Sequence, residues 1–222
     1  MLKIEKFVTM SPEQWEIVIE GMRNPKNSWD RSDSWTTDVV DCETNRVVPA
    51  EFFVGPNDEK LMMELKTGGP VHAKYLRMMP VWVTLTAPLY WWKEADTYQV
   101  GVTKNSCSTM HKIHAKEFTM DDFSMEHCEN HVFELYEATI DTLNILRDIY
   151  LQSGMKDKDI WYQMIQLLPS SYNQKRTVFL NYEVLSNIYK WRRNHKLDEW
   201  HIFCDWIESL PYSELITGEV KQ

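Results

Sequence analysis

Glycine is scarce in this chain: 222 residues contain only seven. No glycine-rich phosphate loop and no G-x-S-x-G nucleophile elbow can be found, which removes two common catalytic architectures. The four cysteines, Cys42, Cys107, Cys128 and Cys204, include no C-x-x-C pair. A zinc ribbon and a redox dithiol are therefore not encoded. No stretch approaches roughly 18 consecutive apolar residues, so no membrane-spanning helix is expected. The opening MLKIEKFVTM lacks the long apolar core of a signal peptide. Scattered cysteines without a leader read as reduced thiols in a cytoplasm. Internal repeats, low-complexity segments and linkers rich in Pro, Gly or Ser are all missing. Positive charge is also short, with 24 Lys and Arg against 33 Asp and Glu, a net charge of −9. A phosphate surface repels such a chain, so neither nucleic acid nor membrane is an expected partner, although a local basic pocket stays open.

What is present is an ordinary globular composition, 43% apolar and 26% charged. One domain over 1–222 is the expectation, since a chain of this length buries a sufficient core without staples. Ten Trp and twelve Met stand out. Large side chains of this kind fill a core or make stacking surfaces and interfaces.

The pattern along the chain predicts an α+β fold, with a small β-sheet mainly in the first half and long helices in the second. Ser11-Pro12-Glu13-Gln14 opens a helix with a capping box, and Trp15, Val18, Ile19 and Met22 follow at helical spacing. Residues 34–54 look irregular, with β pieces near 46–48 and 52–54. Asn57 and Asp58 start a second helix that Gly68-Gly69 stops, and a short helix from about Val71 to Met79 follows. Residues 81–86, VWVTLT, form the best strand, which Pro88 ends before an aromatic helical turn to Ala95. Residues 102–124 are polar and carry no clear pattern. Asp121 or Ser124 can cap a long helix from about 125 to 153, with apolar residues on more than one face. That breadth predicts an oligomer, most simply a tetramer. Helices at 157–168, 181–194 and 198–210, with an extended piece at 177–180, complete the chain.

Three local constellations could carry chemistry. His127 and His131 are four apart on the expected long helix, with His111 and His114 upstream. The order H-C-E-N-H misplaces the glutamate of a zincin, so a solvated helix start is preferred over a metal site. Ser106-Cys107-Ser108-Thr109 lies between Lys104 and Lys112. Such a loop can cradle a phosphate or favour a thiolate, or be an ordinary polar loop. Lys190-Trp191-Arg192-Arg193-Asn194-His195-Lys196 puts cations at a helix end, which complements the dipole or offers an anion a bidentate arginine.

Taken together, these segments resemble the flavin-dependent thymidylate synthases. Residues 71–79, VHAKYLRMM, followed by strand 81–86 and Ala87-Pro88, look like the family's GH-x-S-x-x-EH helix, strand and A-P step. His72 matches the first histidine, while Arg77 and Met78 stand where the family has Glu-His. Glu94 occupies the place of a glutamine. The signature R-H-R-x-x-S-x-N-x-x-S-x-R falls, without gaps, with Thr97, Tyr98 and Gln99 on R-H-R, Val102 on the first Ser, Lys104 on Asn, Cys107 on the second Ser and Thr109 on the last Arg. Leu168-Pro169, then Asn181 twelve residues on, then Asn187, Arg192 and Trp200, resemble L-P…N-x-R-S-L-x-x-F…L-R…Q-W. Glu183 replaces an arginine there.

The resemblance implies a homotetramer using FAD, NADPH and methylenetetrahydrofolate to methylate a pyrimidine nucleotide, dUMP. It makes His72, Tyr98, Gln99, Asn105, Asn181 and Asn187 the candidates for flavin. Glu94, Lys104, Cys107, Ser108, Thr109 and Arg192 are the candidates for substrate, and Arg192 also for a catalytic role. In this chemistry the protein orients and polarises while the cofactors carry the reaction. Lys104, Lys112 and Arg192 are the cations available to replace the signature arginines. Two other expectations compete: a nucleotide-binding module without flavin, and a structural oligomer that exposes a Trp-rich face.

Overall fold

The computed structural model describes residues 1–218. The elements are β1 (Lys3–Val8), α1 (Pro12–Arg23), β2 (Trp35–Val40), β3 (Val47–Phe53), α2 (Pro56–Thr67), β4 (Pro80–Pro88), α3 (Leu89–Ala95), β5 (Thr103–Ser106), α4 (Asn130–Gln152), α5 (Lys158–Leu167), β6 (Asn173–Asn181), α6 (Tyr182–Arg192), α7 (Asp198–Glu208) and α8 (Glu214–Thr217). The fold is α+β, as expected. A four-stranded sheet has the order β1-β4-β6-β5, and β2-β3 form a separate antiparallel pair. Contacts divide the chain into two compact units. The first holds Met1–Glu5, Thr84–Tyr98 and Lys104–Thr177, and the second holds Lys6–Val83, Gln99–Thr103 and Val178–Gln222. Strands β1, β4 and β6 each contribute residues to both.

In the first unit, α4 and α5 close a core of Ile113, Phe118, Phe123, Ile140, Leu143, Leu146 and Met164. The polar stretch before α4 has no repeating pattern because side chains hold it. Asn144 accepts from Phe118 N–H at 2.8 Å and donates to Phe118 C=O at 2.9 Å. Arg147 donates to His114 C=O, and the Trp161 indole to Met110 C=O. The long helix starts at Asn130, not near 125, and neither Asp121 nor Ser124 caps it. Phe123 bridges Tyr172 and Ser124 N–H bonds Ser171 C=O, which keeps the chain extended there. Gly154 and Met155, both in the left-handed region, turn the chain into α5, which Asp157 caps.

In the second unit, the Ser11 capping box forms as the sequence predicts. The segment 71–79 is a 3-10 turn over Lys74–Met78, not an α-helix. The region 34–54 is a regular hairpin with a bulge at Thr37/Asp38, so β2 was invisible to pattern reading. Its alternation is weak because both faces are largely exposed. Trp15 of α1 stacks on Phe52 and meets Tyr212 edge-on. Strand β6 is far longer than the expected 177–180. Of the ten tryptophans, Trp15, Trp91, Trp92, Trp200 and Trp206 are buried, and Trp29, Trp35, Trp82 and Trp191 are exposed.

A buried ion pair organises α1, α2 and the base of the hairpin. Arg23 Nε meets Asp58 Oδ1 at 2.5 Å, both side chains being almost fully buried. The second Asp58 oxygen accepts from the hydroxyls of Ser32 and Ser34 and from the N–H groups of Asp33 and Ser34. Asp33 in turn accepts from Asn57 and Asp58 N–H, so the cap of α2 comes from 24 residues upstream. Burial pushes the Asp58 carboxyl up, but the hydrogen bonds from Ser34, Ser32 and Arg23 outweigh it and hold it below its usual value.

Gly55 is tied to this arrangement. A Cβ there would sit 2.2 Å from Asp33 Oδ1 and 2.4 Å from Asp33 C=O. Gly55→Ala should displace the cap of α2 and cost roughly 1–3 kcal/mol, read as a lower urea midpoint. An unchanged midpoint would show that the capping loop gives way freely.

Alkaline stability should have two phases. Burial lowers the Lys66 ammonium from 10.5 to about 8, so the native state gains relative to the unfolded one between pH 8 and 10.5. Burial raises Cys204 from 9.0 and Tyr172 from 10.0, each to about 12, and raises Tyr75 and Tyr182 further. Their contributions are intact below the unfolded values and are lost above them. Denaturation midpoints should rise from pH 8 to 9, level off, and fall steeply above about 10. Lys66→Met should abolish the rise and keep the fall.

Candidate functional site

The residues singled out by sequence fall in both units. In the first, α3 ends at a cation-rich corner. The Lys104 ammonium donates to Ala95 C=O at 2.9 Å, to Asp96 at 3.0 Å and to Tyr98 C=O at 3.1 Å. Three donors are thus committed to the carbonyl end of α3, where a cation is favoured. This is a different use of Lys104 from a free phosphate contact.

Asp96 is shared with Arg176, whose Nη1 lies at 2.8 Å. Arg176 Nε donates to the Gln174 side chain, and its guanidinium sits 4.3 Å over the buried Trp92 ring. Gln174 donates to Cys107 C=O, and Cys107 N–H bonds Lys175 C=O. These bonds fasten the Cys107–Thr109 loop to β6. Cys107 and Ser108 are exposed and Thr109 is half-buried. Ser108 Oγ accepts from His111 N–H at 2.9 Å, closing the turn. Asn105 is exposed on β5, while Glu94 and Tyr98 are half-buried. Sequence reading missed Arg176 and its partners Trp92, Asp96 and Gln174. The available signal was a Lys-Arg pair inside an otherwise strand-like run, which marks a cation with a reason to be there.

In the second unit, Asn181 is buried and caps α6, accepting from Val184 N–H at 3.0 Å. Gly101 turns against it at φ 75°, and a Cβ would lie 3.2 Å from both Asn181 Nδ2 and Val184 Cγ2. Glycine is required there for both conformation and space. Gln99 and Asn187 are exposed, and His72 lies in the exposed turn after α2. The Arg192 guanidinium rests 4.8 Å over Trp200, which is 1% exposed. Its neighbour Arg193 bonds Asp205 at 2.6 Å and lies 3.2 Å from Glu208, so the basic cluster is partly neutralised by α7. Cation–π contact and helix-end charge both explain the position of Arg192.

The histidines do not form the arrangement the sequence suggested. His127 lies in a turn before α4 and His131 at the second residue of the helix, so they share no helical face. Among the described residues no group of three or more His, Cys, Asp or Glu could hold a metal ion.

No family model matches the chain, and no curated protein matches it. Solved structures do. A flavin-dependent thymidylate synthase from Helicobacter pylori, complexed with FAD and dUMP, matches with a TM-score of 0.60 at 14% identity, over 99% of each chain. A second structure of the Helicobacter pylori enzyme with FAD and dUMP matches with a TM-score of 0.64 at 14% identity, over 98% of each chain. The fold is flavin-dependent thymidylate synthase-like. At this identity the likeness concerns the fold alone.

Two residues on which the resemblance departs from the family pattern meet: Arg77 Nε lies 2.7 Å from Glu183, an ion pair that joins the 3-10 turn to the first turn of α6. Glu183 also complements the dipole at that helix start. Arg77 is exposed, so each single reversal, Arg77→Glu or Glu183→Arg, should bring only a small fall in the urea midpoint. The double reversal should recover most of it. A double-mutant cycle by urea denaturation that showed additive losses would remove the coupling.

Proposed function

We propose that the two units act together as one flavin-dependent thymidylate synthase-like domain that binds FAD and transfers one carbon to a uridine nucleotide such as dUMP. The observation that carries this reading is the end-to-end match to structures of an enzyme holding FAD and dUMP. NADPH as reductant and methylenetetrahydrofolate as donor complete the reaction, in a soluble cytoplasmic protein. Arg192, a cation at the end of α6 resting on Trp200, takes the nucleotide phosphate. His72, Gln99 and Asn187 are the flavin candidates on exposed surface. Asn181 contributes by setting the start of α6. With Lys104 engaged at α3, Arg176 is the better cation beside the Cys107–Thr109 loop.

A homotetramer belongs to this reading. Leu135, Ile145 and Ile149 of α4 are exposed at 66%, 60% and 42%, and with Ala138 and Thr142 they form a stripe at spacings of three and four. Such a stripe suits a neighbouring helix of another copy. The alternative is a nucleotide-binding or structural oligomer without flavin. Glu183 favours it: the resemblance sets it on an arginine of the family, and an anionic cofactor loses that cation.

Gel filtration with absorbance and light scattering separates these readings. Flavin bands co-eluting with a species of four chains support the enzyme, and a colourless protein that binds dUMP supports the module. A colourless protein that binds no nucleotide sinks the enzyme and the module and leaves the structural oligomer. In calorimetric titration, Arg192→Ala should weaken dUMP about 10- to 150-fold, the worth of one charge-assisted contact. Equal affinity with a lower melting temperature would reduce Arg192 to a cover for Trp200.

A further inference from the structure

A second cation-lined site lies in the second unit, between the end of α1, the 3-10 turns at Asn24–Lys26 and Trp29–Arg31, and the first turns of α2. It is a cavity of about 640 Å³ lined by Arg23, Lys26, Arg31 and Lys60. That volume falls in the range of small-molecule sites. Two acids, Asp30 and Glu64, also reach it. Glu64 takes Lys26 at 3.6 Å, and Arg23 is committed to Asp58. Arg31 and Lys60 have no acidic partner among the described residues, in a chain whose acids outnumber its bases 33 to 24. Two unneutralised cations converging on one cavity in an acidic protein form a local attractor for anions.

The loop that carries Arg31 is fixed from beneath. Arg23, 3% exposed, donates from Nη2 to Arg31 C=O at 3.1 Å and from Nη1 to Ser28 C=O at 3.1 Å. Asn27, held at φ 45°, closes the first 3-10 turn, and its side chain and that of Asn57 add neutral donors to the lining. A preorganised backbone lowers the cost of ordering a ligand. Among the described lining residues only Leu61 is apolar, and none offers an aromatic platform for a nucleobase or other ring. We propose that this cavity binds a small soluble phosphorylated compound with two or more negative charges, through Arg31 and Lys60. It is separate from the nucleotide reading of Arg192 and stands without it.

Inorganic pyrophosphate is the probe, titrated calorimetrically into the full chain. Wild type should bind, and Arg31→Gln and Lys60→Gln should each weaken binding about 10- to 150-fold. Both side chains are exposed, so the melting temperature of the ligand-free variants should not move. Arg192→Ala should leave pyrophosphate affinity unchanged. Absence of binding to wild type overturns the proposal. So does equal binding by the Arg31→Gln/Lys60→Gln double variant, or a loss confined to Arg192→Ala, which places the anion at the other site.

Discussion

The second unit depends on one buried charge pair, Arg23 with Asp58. Removing two ions from water is expensive, and the attraction between them offsets that only when the remaining donors and acceptors are filled. Here they are filled from several directions. Ser32, Ser34 and two N–H groups complete Asp58, while Ser28 and Arg31 carbonyls complete Arg23. These partners all lie on the segment 28–34, so satisfying the pair ties that segment to the end of α1 and the start of α2 and places the base of the hairpin. Taking away either charge leaves the other buried and alone, at a cost of roughly 3–5 kcal/mol.

The same accounting decides which cations remain for function. A lysine or arginine read from sequence counts as available positive charge, yet several here are engaged. Lys104 closes α3, Arg193 ties α6 to α7, and Arg77 meets Glu183. Without an acidic partner among the described residues are Arg31 and Lys60, which line one cavity. The acidic balance of the chain makes these few positions more informative than they would be in a basic protein.

Much of the helical half was legible because its signals are local. The Ser11 box, Pro88 before α3, Asp157 before α5 and Asn181 before α6 are each read within four residues of the helix they start. The start of α2 was only approximately legible, since its cap, Asp33, is distant in sequence. Strand β2 and the late start of α4 were not legible, because exposure on both faces erases alternation and a distant pairing with Ser171 and Tyr172 holds 123–124 extended.

Local chemistry in the sequence therefore determined the helices, the best strand, the α+β class and the family resemblance. The acidic charge, which narrows the partners, was also there to read. Tertiary structure decided everything that needs two distant residues at once. It joined Arg77 to Glu183 and Arg176 to Asp96, turned Lys104 inward, separated His127 from the helix of His131, and set Arg31 and Lys60 on one cavity. The physical reason is that a charge is defined by its composition but its availability is defined by its neighbours, and neighbours are set only when the chain closes on itself.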